Sequence, residues 1–287
     1  MQPDIWFYNL GIRLYNINSI AISIGGFNIF WYGILIALGV TAAYFLACHV
    51  AKKTGQDPEH YSDLLFWVVP AGAIGARLYY IAFSATQGLA DFFDFRGGGL
   101  AFFGILLGGV PAAYYVVKKK ALYFPQVLDT AIFGVLIGQI IGRWGNFINR
   151  EAFGRHTNGL FAMRYRVDQL RWLPAELLDH IITYEGVQYV QVHPTFLYEV
   201  FSNTLILVFL LWYYKRKKFE GELISLYFIF HGAFRVVWES LRTDSLMMGP
   251  IRVSVLVSIG LIVLGIMGMV LGHLKGKKPE VSTIDPT

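Results

Sequence analysis

Three stretches of this chain carry no Asp, Glu, Lys or Arg: Gly25–Ala51, Gly97–Val117 and Val253–Leu274. Each is at least as long as the roughly 20 apolar residues that carry a helix across a bilayer core. That single feature excludes most folds open to a chain of 287 residues. Composition agrees with it. The chain is 55% hydrophobic and 15% charged, with a mean hydropathy of +0.50. Soluble domains are nearer a quarter charged, and disordered chains are polar and highly charged. The remaining class is the integral membrane protein. One cysteine, Cys48, excludes a disulfide framework and a Cys-based zinc site.

Four further stretches are apolar but interrupted by one or two charges. They are about Leu64–Ala85 with Arg77, Pro125–Asn146 with Asp129 and Arg143, Thr195–Tyr214 with Glu199, and Glu222–Glu239 with Arg235 and Glu239. The expected architecture is an all-α integral membrane protein of seven transmembrane helices. With seven spans, all 11 lysines (Lys52, Lys53, Lys118, Lys119, Lys120, Lys215, Lys217, Lys218, Lys275, Lys277 and Lys278) fall on one side. The positive-inside rule makes that side the cytoplasm, the N-terminus external and the C-terminus cytoplasmic. The net charge of +5 then reflects topology and not a nucleic-acid footprint.

Residues 1–274 read as one polytopic membrane domain and 275–287 as a polar cytoplasmic tail. The loops are short except for about 147–192, between the fourth and fifth spans. It carries a helix-like Pro174–Ile182 and an alternating, strand-like Val187–Val192, and is expected to form a small external subdomain. The opening residues lack a basic n-region, and no Ala-x-Ala stands near the first span, so that span is expected to act as the insertion signal.

An ionisable side chain inside a span is costly in lipid and points to function. In the sixth span His231, Arg235 and Glu239 recur every four residues and share one helix face, followed by Arg242. An Arg235–Glu239 pair alone would neutralise itself, but leaves His231 on the same stripe unexplained. The fourth span carries Gly134, Gly138 and Gly142 at the spacing of close helix packing. It runs on into Gly-Arg-Trp-Gly-Asn-Phe-Ile-Asn-Arg-Glu-Ala-Phe-Gly, residues 142–154. Arg143 offers a planar fork suited to a phosphodiester, Asn146 adds neutral donors, and the glycines allow backbone to approach a headgroup. Arg77 is read either as a partner for Glu199 or as a phosphate contact. Gly97–Gly99 makes a flexible opening to the third span, and Thr195 is placed to cap the fifth. Trp31 and Tyr32 suit an interfacial aromatic belt. No Walker A, His-Glu-x-x-His or Gly-x-Ser-x-Gly motif occurs, so no metal or nucleotide cofactor is expected.

Residues 142–154 resemble the signature of the prolipoprotein diacylglyceryl transferases, Gly-Arg-x-Gly-Asn-Phe-x-Asn-x-Glu-x-x-Gly, with Arg143, Gly145, Asn146, Phe147, Asn149, Glu151 and Gly154 at its fixed positions. The resemblance extends through Trp31-Tyr32-Gly33, Gly75-Ala76-Arg77, His193-Pro194 with Leu197-Tyr198-Glu199, and Arg235, Glu239 and Arg242. It implies transfer of the diacylglyceryl group of phosphatidylglycerol to the lipobox cysteine of a prolipoprotein in the bacterial plasma membrane, with release of glycerol phosphate. It implies no cofactor and no nucleic-acid partner, and the chain is read as a monomer.

Two positions depart from the family pattern. Phe103 stands where His or Tyr is usual, and Phe cannot donate, accept or carry a proton. His231 stands where Tyr is usual and restores a titratable ring. On this reading Arg143 and Arg235 hold the phosphate, and Glu239 or His231 takes the thiol proton. Asn146 and Tyr32 orient the headgroup, and Glu151 and Gly154 shape the outer lip. Arg77 and Arg242 complete the lipid-binding set. The rival class is a transporter or flippase of an anionic amphiphile. It would need midplane charges open to both sides, whereas here they gather in the outer half. A catalytically impaired lipid-binding paralogue is the third reading, resting on Phe103 and His231.

Overall fold

The computed structural model describes residues 2–83, 92–93 and 101–275. The opening at Gly97–Gly99 and the tail beyond Lys275 lie outside the described residues. Among the described residues there are seven α-helices: α1 (Trp31–Lys53), α2 (Glu59–Phe83), α3 (Phe102–Lys119), α4 (Phe124–Asn149), α5 (Thr195–Tyr213), α6 (Glu222–Glu239) and α7 (Val253–Lys275). They fall on the seven expected apolar stretches. Five segments, Trp31–Lys53, Glu59–Phe83, Phe124–Asn149, Thr195–Arg216 and Val253–Lys275, are long and apolar enough to cross a membrane. In Val253–Lys275 only 11% of the most apolar window is buried. An apolar surface of that extent is unfavourable in water and suits a lipid solvent.

The chain is not purely helical, which corrects the all-α expectation. Among the described residues nine strands accompany the helices: β1 (Ile5–Phe7), β2 (Ile12–Leu14), β3 (Ile20–Ile24), β4 (Phe27–Phe30), β5 (Met163–Arg166), β6 (Ile181–Tyr184), β7 (Val187–Val192), β8 (Met247–Met248) and β9 (Ile251–Arg252). Residues 25–30, expected in the first span, belong largely to the β3–β4 hairpin. A charge-free run fits a strand as well as a helix, so its boundary is not readable from hydropathy. The stretch Pro174–Ile182 is a short 3-10 helix, Ala175–His180, running into β6, whereas Val187–Val192 is the strand expected.

The chain divides into two compact units. One comprises Met1–Ala43 and Ile132–Pro279, and the other contains Tyr44–Ala131. In the first, an antiparallel sheet of order β2-β1-β5-β7-β6 joins the N-terminal strands to the segment after α4. The register pairs Ile5 with Tyr165 and Tyr165 with Val190, so their side chains share one face. That face buries Ile5, Phe7, Phe153, Met163, Tyr165, Leu177, Val190, Val192 and Phe196. The opposite face carries Trp6 and Arg164, whose guanidinium lies 4.8 Å from the Trp6 ring centre and 3.7 Å from that of Tyr8. Helix α4 packs on α1 where a Cβ on Gly134 would stand 2.9 Å from the Ala43 carbonyl. Gly142, the third glycine of that spacing, has nothing within 4 Å. Helices α6 and α7 meet through Gly232 and Gly265, where an added Cβ would stand 2.8 Å from the Ser258 carbonyl and 2.6 Å from that of Ser225.

In the second unit α2 and α3 approach as closely. A Cβ on Gly75 would lie 2.3 Å from the Gly104 carbonyl, and one on Gly108 2.0 Å from that of Ala71. The second unit's core gathers Ala47, Cys48, Ala51, Tyr61, Leu64, Val116, Val117 and Val127.

Candidate functional site

Helix α4 ends in a Schellman turn built without glycine. The Glu151 amide donates to Asn146 O at 3.0 Å and the Arg150 amide to Phe147 O at 3.2 Å, with Arg150 in the left-handed region at φ +54°. A side chain there is strained, and Arg150 is held by donating to Ile17 O at 2.6 Å. The turn folds Glu151 back over the last helical residues. Its Oε1 accepts from Asn146 Nδ2 at 3.0 Å and from Asn149 Nδ2 at 3.3 Å. Asn146, Asn149 and Glu151 thus form one hydrogen-bonded group.

Beyond the turn, Gly154 lies in a backbone seam. Its amide donates to His193 O at 2.9 Å, the Arg155 amide donates to Leu241 O at 2.8 Å, and the His193 amide to Arg155 O at 3.1 Å. A Cβ on Gly154 would come within 2.8 Å of both His193 Cβ and the Leu241 carbonyl. Only glycine lets this segment run between the start of α5 and the end of α6. Thr195 does not cap α5: its hydroxyl donates to the Ala152 carbonyl, tying α5 to the same seam.

The seam sets three arginines around one carboxylate. Glu199 of α5 is 3% exposed. Arg143 Nη2 lies 2.5 Å from its Oε2, while Arg235 Nη1 and Arg242 Nη1 lie 2.8 and 3.3 Å from its Oε1. Arg235 Nη2 stands 2.7 Å from Glu239 Oε2, an ion pair that lacks the alignment of a hydrogen bond. Arg242 grips Asp244 through Nε and Nη2 at 2.9 and 2.8 Å. Arg143 Nη1 reaches Asn146 Oδ1 only at 3.5 Å. Three guanidiniums and three carboxylates balance within this group, which is what burial away from water demands.

Along the same face Glu199, Ser202, Asn203, His231, Phe234, Arg235 and Trp238 surround a tight gap with no room for a water molecule. His231 Nδ1 lies 3.3 Å from Asn203 Oδ1, and its ring stacks on Tyr227 with centres 4.9 Å apart. Gln139 Nε2 donates to the Tyr227 hydroxyl at 3.0 Å, and Trp238 Nε1 to Ser202 Oγ at 3.2 Å. Tyr32 packs closely on α4, since a Cβ on Gly145 would fall 2.2 Å from Tyr32 Cδ2.

The family described as prolipoprotein diacylglyceryl transferase matches residues 19–271. The chain belongs to the prolipoprotein diacylglyceryl transferase family. Curated relatives named phosphatidylglycerol–prolipoprotein diacylglyceryl transferase agree with that membership. The protein of Finegoldia magna is 42% identical over 253 residues, covering 87% of this chain and 93% of its own. That of Clostridioides difficile is 37% identical over 270 residues, covering 93% and 98%. That of Bacillus cereus is 36% identical over 264 residues, covering 91% and 94%.

Of the residues singled out from sequence, Arg143, Asn146, Glu151, Gly154, His231, Arg235, Glu239 and Arg242 share this one unit, as does Tyr32. Arg77 lies in the other unit, fully buried, its Nε donating to Phe92 O at 3.2 Å. Phe103 sits in that unit too, its ring centre 6.3 Å from that of Tyr79. The residue that sequence reading left out of the site is Glu199, on which the three arginines converge. The available signal was its standing as the one charged residue inside the fifth apolar stretch.

Proposed function

We propose that this chain moves the diacylglyceryl group of phosphatidylglycerol onto the thiol of the lipobox cysteine of prolipoproteins, the reaction named for its curated relatives. Family membership carries this reading, and the arginine cluster supports it chemically. A thiolate attacks the glycerol carbon that bears the phosphate ester. The C–S bond forms, the C–O bond breaks, and the bonding pair leaves with glycerol phosphate. The leaving group is already an anion, so the barrier falls with cations placed against its growing charge. Arg143 and Arg235 fill that role, with Asn146 and Tyr32 orienting the headgroup and Arg242, Glu151 and Gly154 completing the binding surface.

A free thiol has its pKa near 8.5, so a base must take its proton. His231 and Glu239 are the two groups able to do so. His231 is favoured because its ring is oriented by Asn203 and Tyr227, whereas Glu239 is held in an ion pair by Arg235. Asn203 against Nδ1 leaves Nε2 available.

On this reading the chain crosses the bacterial plasma membrane seven times, with the N-terminus external, the lysines cytoplasmic, the 147–192 segment in an external subdomain and the tail from Lys275 cytoplasmic. It works as a monomer and takes both substrates from the bilayer. The testing experiment supplies purified protein with phosphatidylglycerol in detergent and a lipobox peptide, then reads the peptide mass. A gain of one diacylglyceryl group on cysteine is the expected result. No gain beside an active family member overturns the assignment.

A further inference from the structure

We infer that Glu199 is a resident anion, occupying the point where Arg143, Arg235 and Arg242 converge, and that the phosphodiester of an anionic lipid binds beside this point by drawing Arg143 away from Glu199. The inference rests on the proposed binding of the lipid phosphate at Arg143. Both carboxylate oxygens are engaged: Oε2 by Arg143 and Oε1 by Arg235 and Arg242. A second anion clasped by Arg143 and Arg235 together would meet that carboxylate, and like charges at such range repel strongly in a site with little water.

The three arginines are not held alike. Arg235 has a second carboxylate in Glu239, and Arg242 has two bonds to Asp244. Arg143 has Glu199 and one long contact to Asn146. Its side chain is also the most exposed of the three, at 26% against 18% and 11%. Arg143 is therefore the one that exchanges partners, while Glu199 keeps Arg235 and Arg242 aligned.

The test is calorimetric binding of a short-chain phosphatidylglycerol to the full-length protein in detergent. Glu199→Gln removes the competitor and keeps the shape, and is expected to tighten binding by at least about threefold. A carboxylate that merely braces the arginines predicts weaker binding instead. Equal or weaker binding by a folded, monodisperse Glu199→Gln overturns the inference. A structure of the wild-type protein with the same lipid keeps the test independent of that variant. The Arg143–Glu199 separation is expected to open beyond about 4 Å, and an intact pair beside bound lipid overturns the inference. Arg143→Ala separates the two readings. If it binds lipid as the wild type does, the phosphate assignment falls and this inference with it. If it binds weakly while Glu199→Gln gains nothing, only the resident-anion inference falls.

Discussion

Tyr32 lies so close across Gly145 that a Cβ at that glycine would fall 2.2 Å from Tyr32 Cδ2. The contact couples the start of α1 to the turn of α4 that carries Arg143. Gly145→Ala must push the ring aside, and the ring lies over a helix backbone that cannot give way. Transfer is expected to fall by at least about tenfold, with overpacking costing about 1–3 kcal/mol. Gly142→Ala, with nothing within 4 Å, is expected to stay within about twofold of wild type. Turnover and thermal midpoint of the two variants check this.

Arg143 uses two nitrogens toward two different partners, Glu199 and Asn146. A lysine ammonium is a point charge and cannot reproduce that fork. Arg143→Ala is expected to lose about 10²–10³ in kcat, the usual cost of removing one donor to a developing anion. Arg143→Lys is expected to recover less than about a tenth of wild-type turnover. Single-turnover assays with lipid and lipobox peptide measure both.

His231→Phe keeps a ring to stack on Tyr227 but removes the nitrogens. The expected loss is about 10²–10⁴ in kcat with little change in KM for the lipid. A Glu239→Gln variant that loses as much while His231→Phe retains activity would transfer the role to Glu239.

Burial, reinforced by Arg155 and His156, holds the His193 imidazole below its ordinary value of 6.5. Above that pH the ring is neutral in both folded and unfolded chains and contributes no pH dependence. As the pH falls below 6.5 the unfolded chain binds a proton that the fold resists, so stability is lost until the folded-state value is reached. The thermal midpoint is expected to fall between pH 7 and pH 5, and less steeply in His193→Asn.

The helices were the legible part. Glu222–Glu239 matches α6 at both ends, and Thr195 begins α5 where the expected apolar stretch begins. A membrane helix satisfies its own backbone within one segment, so a local window of sequence contains its cause. The five-stranded sheet was not legible for the opposite reason. Strand β1 satisfies its backbone on β2 and β5, and Ile5 pairs with Tyr165, which is distant in the chain. No pattern in Ile5–Leu14 names that partner.

The same division runs through the site. Sequence by itself determined the membrane class, the positions of the seven helices and, through residues 142–154, the family. Those properties depend on hydropathy and on side chains a few positions apart. Only the tertiary structure decided that Arg143, Arg235 and Arg242 share Glu199. A buried charge requires opposite charge within a few ångströms. Here the arginines stand on α4, on α6 and just beyond α6, and the carboxylate on α5, so their convergence is a property of packed helices and of the seam that Gly154 permits.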